Sequence, residues 1–288
     1  MKELHRIYDP EKNFDVTKLD QRIDLSKSES KKILKENIEV LDELQQKLYG
    51  EAKKSLLVVF QAMDAAGKDS TIRAVFSGMN PQGFLVSSFK VPGRLALAHD
   101  YLWRVNKRLP MRGKIGVFNR SHYEEVLVCK VHPQYLLYQD LPDVNAIEDA
   151  DDIFWQKRYE QINNFEKHLS ENGYTIIKFF LNVSRKEQKK RFIDRMNKPH
   201  KHWKFSLKDL EERQLWDKYM DAYSSAIRET SKSHAPWYSI PADDKDYMRA
   251  AVSEIVKRTM EEMQLEYPAV TDDQLKEIEA AKDILARE

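Results

Sequence analysis

Five short apolar runs alternate along the chain with segments of helical periodicity. Runs of this length, bounded by turn residues, are typical of buried strands, and the intervals are long enough for crossover helices. Strands connected in this way pair in parallel, and helices cover both faces of the sheet. The sequence therefore predicts an α/β fold with a parallel sheet. The predicted strands are residues 55–60, 84–89, 114–119, 174–182 and 237–241.

Helical patterns fill the intervals between these strands. Apolar residues recur at helical spacing through 30–49, and Ser184-x-x-Glu187 has the form of a capping box that opens a helix. The other predicted helices start at Lys68, span 95–109, 155–169 and 246–263, and include the tail from Thr271 onward. We divide the chain into an N-terminal arm and helix (1–50), a main domain (51–265) and a C-terminal helix (266–288).

Charge and cysteine content exclude several classes of protein. Among 288 residues, 48 Lys and Arg balance 47 Asp and Glu, so no global field attracts nucleic acid or a membrane surface. The only cysteine, Cys129, excludes a disulfide framework within one chain. The N-terminal sequence has no apolar signal region, and no run approaches the length of a membrane span. We therefore expect a cytoplasmic protein without membrane or nucleic-acid partners.

The turn after the first predicted strand has features of a phosphate-binding loop. Gly67 and Lys68 match the end of the pattern G-x-x-x-x-G-K-[ST], in which backbone N–H groups and a lysine hold phosphate oxygens at a helix N-terminus. Two positions depart from it: Ala62 replaces the first glycine, and Asp69 follows the lysine. An ordinary strand–helix turn with a solvated lysine is the alternative.

Asp64 lies within this turn. A carboxylate among phosphate-binding groups repels phosphate unless a cation bridges them, so Asp64 is expected to hold Mg²⁺ or to orient an attacking oxygen. The alternative is a turn aspartate that bonds its own backbone. The residues alone leave the two alternatives open.

Four motifs occur in order: residues 63–68 (MDAAGK), 118–125 (FNRSHYEE), 202–206 (HWKFS) and 235–245 (APWYSIPADDK). Together they resemble the polyphosphate kinase 2 family, over roughly residues 10 to 262. The resemblance implies a three-layer α/β/α P-loop kinase fold with a central parallel five-stranded sheet and a helical lid at about 191–215. It also implies reversible transfer of the terminal phosphate of inorganic polyphosphate to nucleoside mono- or diphosphates. Mg²⁺ is the implied cofactor, with Mn²⁺ as a substitute, and the implied assembly is a homo-oligomer, a dimer or a tetramer.

The resemblance also assigns roles to residues. It implies catalytic roles for Asp64, Lys68, Arg120 and Arg195, and metal binding by Asp64 and Glu124. Many members have Asp where this chain has Asn119, and the variant Asn-Arg-Ser-His-Tyr-Glu resembles the class III subgroup, which accepts both mono- and diphosphates. Asn119 cannot be a charged metal ligand, which leaves that role to Asp64 and Glu124. The predicted phosphate and polyphosphate ligands are Ala65, Ala66, Gly67, Lys68, Asp69, Ser70, Arg191, Lys201 and Lys204.

A basic segment spans residues 185–204, with nine Lys or Arg residues against two acids. Such local clustering in a neutral protein suits a flexible polyanion, whose binding counterion release favours. A solvated helix face is the alternative, although Arg191 and Arg195, four residues apart, share one face of a helix.

The nucleotide site is the least defined part of the prediction. Asp100 and Arg104 are four residues apart on the predicted helix 95–109, where related kinases bind the acceptor; a surface ion pair is the alternative. Lys90 and Arg94 flank a turn at a strand end. The predicted nucleotide ligands are Lys90, Arg94, Asp100, Arg104, Asn119 and Arg120.

Two other functions compete with this prediction. A nucleoside monophosphate kinase that uses ATP would share the fold, the loop and the lid. A non-catalytic nucleotide- or polyanion-binding protein would not need Asp64, Lys68, Arg120 and Glu124 together. Nucleic-acid binding lacks a recognised module.

Overall fold

A computed structural model describes residues 14–288 and the backbone of residues 6–7. The five predicted strands form the parallel centre of the sheet, and a two-residue antiparallel strand is added at its edge. The prediction of an α/β fold with a parallel five-stranded sheet is confirmed. The strands are β1 (Arg6–Ile7), β2 (Ser55–Gln61), β3 (Phe84–Ser88), β4 (Ile115–Asn119), β5 (Tyr174–Asn182) and β6 (Trp237–Pro241).

The strand order is β1-β6-β5-β2-β4-β3. The chain leaves β2 towards β3 at one edge, returns to β4 beside β2, and then crosses to β5 on the other side of β2. The direction of winding therefore reverses between β2 and β4, and ligands of open α/β sheets bind outside the carboxyl ends of strands at such a point. The candidate residues that follow β2 and β4 are brought together there.

Helices cover both faces of the sheet and complete three layers. The helices are α1 (Lys27–Glu51), α2 (Lys68–Val75), α3 (Arg94–Leu97), α4 (Trp103–Asn106), α5 (Glu124–Val131), α6 (Asp152–Glu171), α7 (Arg185–Met196), α8 (Leu207–Gln214), α9 (Trp216–Thr230), α10 (Lys245–Glu262) and α11 (Asp272–Leu285). Short 3-10 turns lie at Val16–Lys18, Pro81–Gly83, Pro133–Gln139, Ile147–Asp149 and Pro199–Lys204. Helices α1, α2 and α10 pack together on one face, and α5, α6 and α9 pack together on the other.

The prediction of one helix over 95–109 is wrong. The chain there forms the two short helices α3 and α4, because the Asp100 carboxylate accepts a hydrogen bond from the backbone N–H of Leu102 at 2.8 Å. Aspartate side chains that bond nearby backbone in this way compete with helical hydrogen bonds. Asp100 and Arg104 consequently do not share the face of a continuous helix.

The start of α7 follows half of the predicted capping box. The Ser184 hydroxyl accepts from the backbone N–H of Glu187 at 3.0 Å, as expected of an N-cap. The reciprocal bond is made by Asp243, whose carboxylate accepts from the backbone N–H of Ser184 at 2.7 Å, while Glu187 pairs with Arg191. The beginning of α7 is thereby tied to the end of β6.

The beginning of the predicted N-terminal arm, residues 1–5 and 8–13, lies outside the described residues. From Phe14 onward the chain packs on the main domain: Val16 is fully buried, and the Asn182 amide donates to the carbonyl oxygens of Leu19 and Asp20. Within residues 14–288, every helix is too short or too polar to cross a bilayer.

Candidate active site

The loop that joins β2 to α2, residues 62–67, has the shape of an anion-binding turn. Ala65 and Gly67 both have positive φ angles, 61° and 112°. A Cβ at Gly67 would lie 3.1 Å from the methyl group of Met248, so both the backbone angle and the available space favour glycine. The loop ends at the N-terminus of α2, where backbone N–H groups lack helical partners and attract anions.

Lys68 begins α2 and folds back over this loop. Its Nζ donates to the carbonyl oxygens of Ala62 at 2.6 Å and Met63 at 3.4 Å. Desolvation by burial lowers the pKa of Lys68, although Asp64 acts in the opposite direction. The ammonium group is therefore held against the loop by two backbone carbonyl oxygens.

Arg120 connects the loop after β2 to the first turn of α5. It follows β4 with a φ of 63°, a left-handed conformation that is uncommon for a residue with a side chain and that is found enriched at functional sites. Its guanidinium donates to the Asp64 carboxylate at 2.9 Å and lies 3.5 Å from that of Glu124. One cation thus bridges a carboxylate from the loop after β2 and a carboxylate from the first turn of α5.

The burial and pairing of these charges shift their pKa values. Glu124 is largely buried, and desolvation raises its pKa in spite of the opposing charges of Arg120 and Lys68. The carboxylate of Glu124 raises the pKa of Arg120 further, so the guanidinium remains charged. Charges that are desolvated and paired at the mouth of a cleft are typical of functional sites.

The two carboxylates fit a divalent cation. A search of the described residues finds no cluster of three or more His, Cys, Asp or Glu that would cage an ion. Mg²⁺, however, is usually held by one or two carboxylates while waters and substrate phosphates supply the other ligands. Asp64 and Glu124 are oxygen donors that already share one positive partner, so their chemistry suits such a cation when a phosphate is bound.

Helix α7 anchors the 62–67 loop from behind. The Arg191 guanidinium donates to the carbonyl oxygens of Ala66 and Ala242, each at 2.6 Å, and its Nε pairs with Glu187 at 2.9 Å. Gln188, one turn earlier, donates to the carbonyl oxygen of Asp64 at 2.9 Å. Arg191 is buried, and in this structure its donors face backbone rather than open solvent.

Asn119, Asp69 and Lys204 form a chain of contacts beside the loop. The Asn119 amide donates to the Asp69 carboxylate at 2.7 Å, and the Lys204 ammonium lies 3.9 Å from the other carboxylate oxygen. Ser70, next to Asp69, instead donates to the Gly67 carbonyl oxygen at 2.9 Å. The first turn of α2 is therefore connected both to β4 and to the basic segment.

The segment from α7 to α8 lies next to the 62–67 loop. Arg195 pairs with Asp209 of α8 at 3.1 Å and donates to the carbonyl oxygen of Lys204 at 3.2 Å. Lys201 lies 3.5 Å from Asp194, which also pairs with Lys198. Burial and the nearby Asp64 charge raise the pKa of Asp209, which indicates that α8 approaches the loop.

A cavity of about 500 Å³ opens between these elements. Asp64, Arg120 and Glu124, which contact one another, lie in its wall, and Lys90 and Arg104 are also in its lining. The Arg104 guanidinium donates to the carbonyl oxygen of Lys90 at 2.6 Å, so it also shapes the turn after β3. Arg94 and Asp100 do not line this cavity.

Sequence reasoning missed most of the remaining wall. Aromatic and acidic residues from separate segments close the cavity. The sequence signal noted among them is the helical spacing of the two acids in α8. These residues are Tyr101, Tyr135, Tyr138, Asp209, Glu212, Tyr219 and Tyr223. The Glu212 carboxylate is fixed by His132 at 2.8 Å and by the Tyr219 hydroxyl at 2.6 Å.

Comparisons with known proteins identify the family. Residues 24–268 match the family described as polyphosphate kinase 2. The chain is 51% identical over 253 residues to an ADP-polyphosphate phosphotransferase of Rhodopseudomonas palustris, covering 88% of this chain and 86% of the relative. It is 49% identical over 228 residues to an AMP/ADP-polyphosphate phosphotransferase of Meiothermus ruber, covering 79% and 80%. The crystal structure of polyphosphate kinase 2 from Arthrobacter aurescens TC1 superimposes with a TM-score of 0.87 at 38% identity, covering 99% of this chain and 95% of that one.

Proposed function

This chain belongs to the polyphosphate kinase 2 family, and we propose that it transfers the terminal phosphate of inorganic polyphosphate to nucleoside mono- and diphosphates. The observation that carries the proposal is the meeting of Asp64, Arg120 and Glu124 in the wall of a cavity outside the carboxyl ends of β2 and β4, with Lys68 close enough to interact with all three charges. Phosphoryl transfer requires alignment and charge neutralisation rather than covalent chemistry from the protein, and these groups supply both.

In the proposed reaction, a phosphate oxygen of the acceptor attacks the terminal phosphorus of polyphosphate. The bond to the bridging oxygen breaks, and the polyphosphate leaves one unit shorter. Lys68 and the backbone N–H groups of the 62–67 loop hold the transferred group, and Arg120 screens its charge. The acceptor oxygen is already ionised, so no general base is needed.

Asp64 and Glu124 would hold the divalent cation, which we propose is Mg²⁺, with Mn²⁺ as a substitute. When bound, the cation neutralises charge on the phosphate oxygens. Arg120 already pairs with Asp64 and Glu124, so the cation would share both carboxylates with the guanidinium.

We further propose that residues 191–215 act as a lid and that Lys201, Lys204 and Arg195 bind polyphosphate. The ion pair of Lys204 with Asp69 connects this segment to the first turn of α2, and the pair of Arg195 with Asp209 joins α7 to α8 within the segment. Both pairs are partly exposed, so each is worth roughly 0–1 kcal/mol and is readily exchanged for a phosphate. Arg191 would contribute by holding the loop backbone.

The acceptor would enter the cavity past Lys90 and Arg104. The R. palustris relative is named for ADP alone and the M. ruber relative for both AMP and ADP, at nearly equal identity to this chain. Asn119 and its neighbours resemble the subgroup that accepts both, and we therefore propose both as acceptors, with guanine nucleotides as further candidates.

One assay tests the proposal. The purified protein is incubated with Mg²⁺, long-chain polyphosphate and AMP, ADP, GMP or GDP, without ATP, and the products are separated by chromatography. We expect ADP and then ATP from AMP, with polyphosphate consumed. Phosphorylation only when ATP is the donor would instead identify a nucleoside monophosphate kinase.

The C-terminal helix α11 supports the proposal of a homo-oligomer, a dimer or a tetramer. Leu275, Ile278 and Leu285 are 44–67% exposed along this helix. Apolar side chains at helical spacing on an exposed helix are typical of a surface that is covered in an assembly. Sedimentation velocity of the full chain and of a chain without residues 266–288 tests this; an unchanged number of subunits would exclude α11 from the interface.

A further inference from the structure

A lysine lies fully buried in the middle of the sheet. Lys178 is in the centre of β5 with no exposed side-chain surface. Its three N–H donors have three acceptors: the Glu166 carboxylate, the Tyr123 hydroxyl at 2.8 Å and the Thr230 carbonyl oxygen at 2.9 Å. The ammonium group is therefore completely satisfied by protein atoms.

Glu166, from α6, receives the other bonds of this network. One carboxylate oxygen pairs with Lys178, and the second accepts from the Tyr123 hydroxyl at 2.9 Å and from the His122 Nε2 at 3.3 Å. Glu166 is fully buried and His122 is 3% exposed. Burial would raise the pKa of Glu166, but the charge of Lys178 and the bond from His122 lower it overall, so the carboxylate stays ionised.

The two residues held by this network are consecutive and lie in the active-site motif. Arg120 precedes His122 by two positions, and Glu124 directly follows Tyr123. The Tyr123 ring is also packed edge-on against Trp237, with ring centres 4.8 Å apart. The Ser121 hydroxyl accepts from the Tyr123 N–H at 3.1 Å and from the Gln61 amide at 3.2 Å, which connects the same turn to β2.

A contribution to stability alone does not account for the ion pair. A buried ion pair pays a desolvation cost that its attraction recovers only with excellent geometry, and apolar residues of similar volume are often as stabilising or more so. Burial lowers the pKa of Lys178 to about 8, which is the expected sign of that cost. What the pair supplies, and apolar side chains do not, is directed bonds to His122 and Tyr123.

We infer that Lys178 and Glu166 are positioning residues for phosphoryl transfer. They hold the turn between β4 and α5, which carries Arg120 and Glu124. The inference rests on the proposed function, because it assumes that Arg120 and Glu124 act on the transferred phosphate. The network holds the strained backbone at Arg120 and the first turn of α5 in one register. Displacing a catalytic group by about 1 Å reduces turnover about 100-fold, so this support affects rate far more than folding.

The test replaces the pair as a unit. Lys178→Met/Glu166→Gln removes both charges and keeps side-chain volume, so no buried charge is left unpaired. The control is Lys257→Met/Glu254→Gln, which removes a 2.9 Å ion pair on α10. Melting temperature, kcat, KM for each substrate, and amide hydrogen exchange across residues 119–126 are measured for the wild type and both variants.

We expect the Lys178/Glu166 variant to fold with a melting temperature at most a few degrees below the wild type, and with kcat reduced about ten- to 100-fold. Exchange across 119–126 should be faster than in the wild type and in the control. A folded variant with wild-type kcat and wild-type exchange would overturn the inference. If the variant does not fold, Tyr123→Phe, which removes only the hydroxyl between Lys178 and Glu166, takes its place with the same two readouts.

The exchange measurement separates the inference from the proposed function. A wild-type protein without polyphosphate activity contradicts the function, whereas exchange across 119–126 still reports whether Lys178 and Glu166 hold this turn. A loss of kcat accompanied by an equal loss of stability and unchanged local exchange would show a general structural role and would also overturn the inference.

Discussion

The guanidinium of Arg120 lies 2.9 Å from the carboxylate of Asp64, although the two residues are on loops that follow different strands. A divalent cation that binds Asp64 must share this carboxylate with Arg120. The same arginine is proposed to screen the transferred phosphate, so it has opposite effects on cation binding and on turnover.

Removing Arg120 therefore separates the two effects. We expect Arg120→Gly to reduce kcat by about 100- to 1000-fold, the usual cost of losing a group that stabilises developing charge. The half-saturating Mg²⁺ concentration should not increase, because a competitor for Asp64 has been removed. Glycine is preferred over alanine because the φ of Arg120 is 63°. Steady-state kinetics over a Mg²⁺ titration measure both quantities, with Asp64→Asn as the comparison that should raise the Mg²⁺ requirement.

Lys68 should be required for turnover and not for folding. We expect Lys68→Ala to reduce kcat by orders of magnitude while the melting temperature stays within a few degrees, because its Nζ contacts only loop carbonyl oxygens. Lys53→Ala, at an exposed position beside β2, is the control and should keep wild-type kcat. Near-normal turnover of a folded Lys68→Ala protein would exclude Lys68 from the reaction.

The order of elements was accessible from the sequence because strands and helices differ in periodicity. All five predicted strands are present to within one residue, since each is a short apolar run; four of them are almost entirely buried, whereas the edge strand β3 exposes Leu85 and Val86. The failure at 95–109 has a local cause: the Asp100 side chain bonds the Leu102 N–H, a competition that apolar periodicity does not register. Helix α9 was not predicted, and its Trp216 and Tyr223 also belong to the core.

Proximity within the site was only partly accessible. Motif order and the parallel sheet place Asp64 and Arg120 at the carboxyl ends of two strands, and the structure shows that these strands are neighbours and joins the two residues. The direction of a side chain was not encoded in the same way: Arg191 and Arg195 share a helix, yet Arg191 points at loop carbonyls and Arg195 at Asp209. A lysine within an apolar strand is visible in the sequence. Its partners lie 12 and 55 positions away, and no sequence pattern connects them to it, so the network around Lys178 could not be predicted.

Asn119 offers a test of the contact between β4 and α2. Asn119→Asp replaces an amide that donates to Asp69 at 2.7 Å with a second carboxylate. Without divalent cation we expect a loss of about 1 kcal/mol in the free energy of unfolding, since a hydrogen bond is lost and like charges approach. Saturating Mg²⁺ should recover part of it by bridging the carboxylates.

The double variant Asn119→Asp/Asp69→Asn restores one donor and one acceptor and is the matched control. Its stability without Mg²⁺ should return to near the wild-type value. Urea unfolding with and without Mg²⁺ measures both proteins. Equal stability of the single variant and the wild type in the absence of Mg²⁺ would contradict this account.

Replacing Arg191 tests whether this residue supports the loop or binds polyphosphate directly. Arg191→Met leaves carbonyl oxygens of Ala66 and Ala242 without their donor, and breaking such a buried charged contact costs about 3 kcal/mol. Because Arg191 is proposed to hold the loop, we expect the melting temperature to fall and KM to rise for both substrates. A rise in KM for polyphosphate alone would instead show that Arg191 binds the polyanion directly. Lys201→Met, at an exposed connector, is the comparison for a direct contact, with kinetics and thermal unfolding measured for each.

The buried ion pair makes stability depend on alkaline pH in a defined direction. Burial lowers the pKa of Lys178 from its ordinary 10.5 to about 8. Between these values the unfolded chain binds the Lys178 proton more strongly than the folded protein does, so the free energy of unfolding increases with pH in this window. Glu166 and Tyr123 face Lys178: burial acts to raise the pKa of Glu166 but the charge of Lys178 holds it down, and burial raises the pKa of Tyr123 well above its ordinary value. The free energy of unfolding of the wild type should therefore increase between pH 7 and pH 10 relative to Lys178→Met/Glu166→Gln, which has lost the titrating group, by about 1.4 kcal/mol for each unit by which the folded pKa lies below the unfolded one. Urea unfolding of both proteins at the two pH values measures this difference, and a difference that does not change with pH would show that Lys178 keeps an ordinary pKa and bears no desolvation cost.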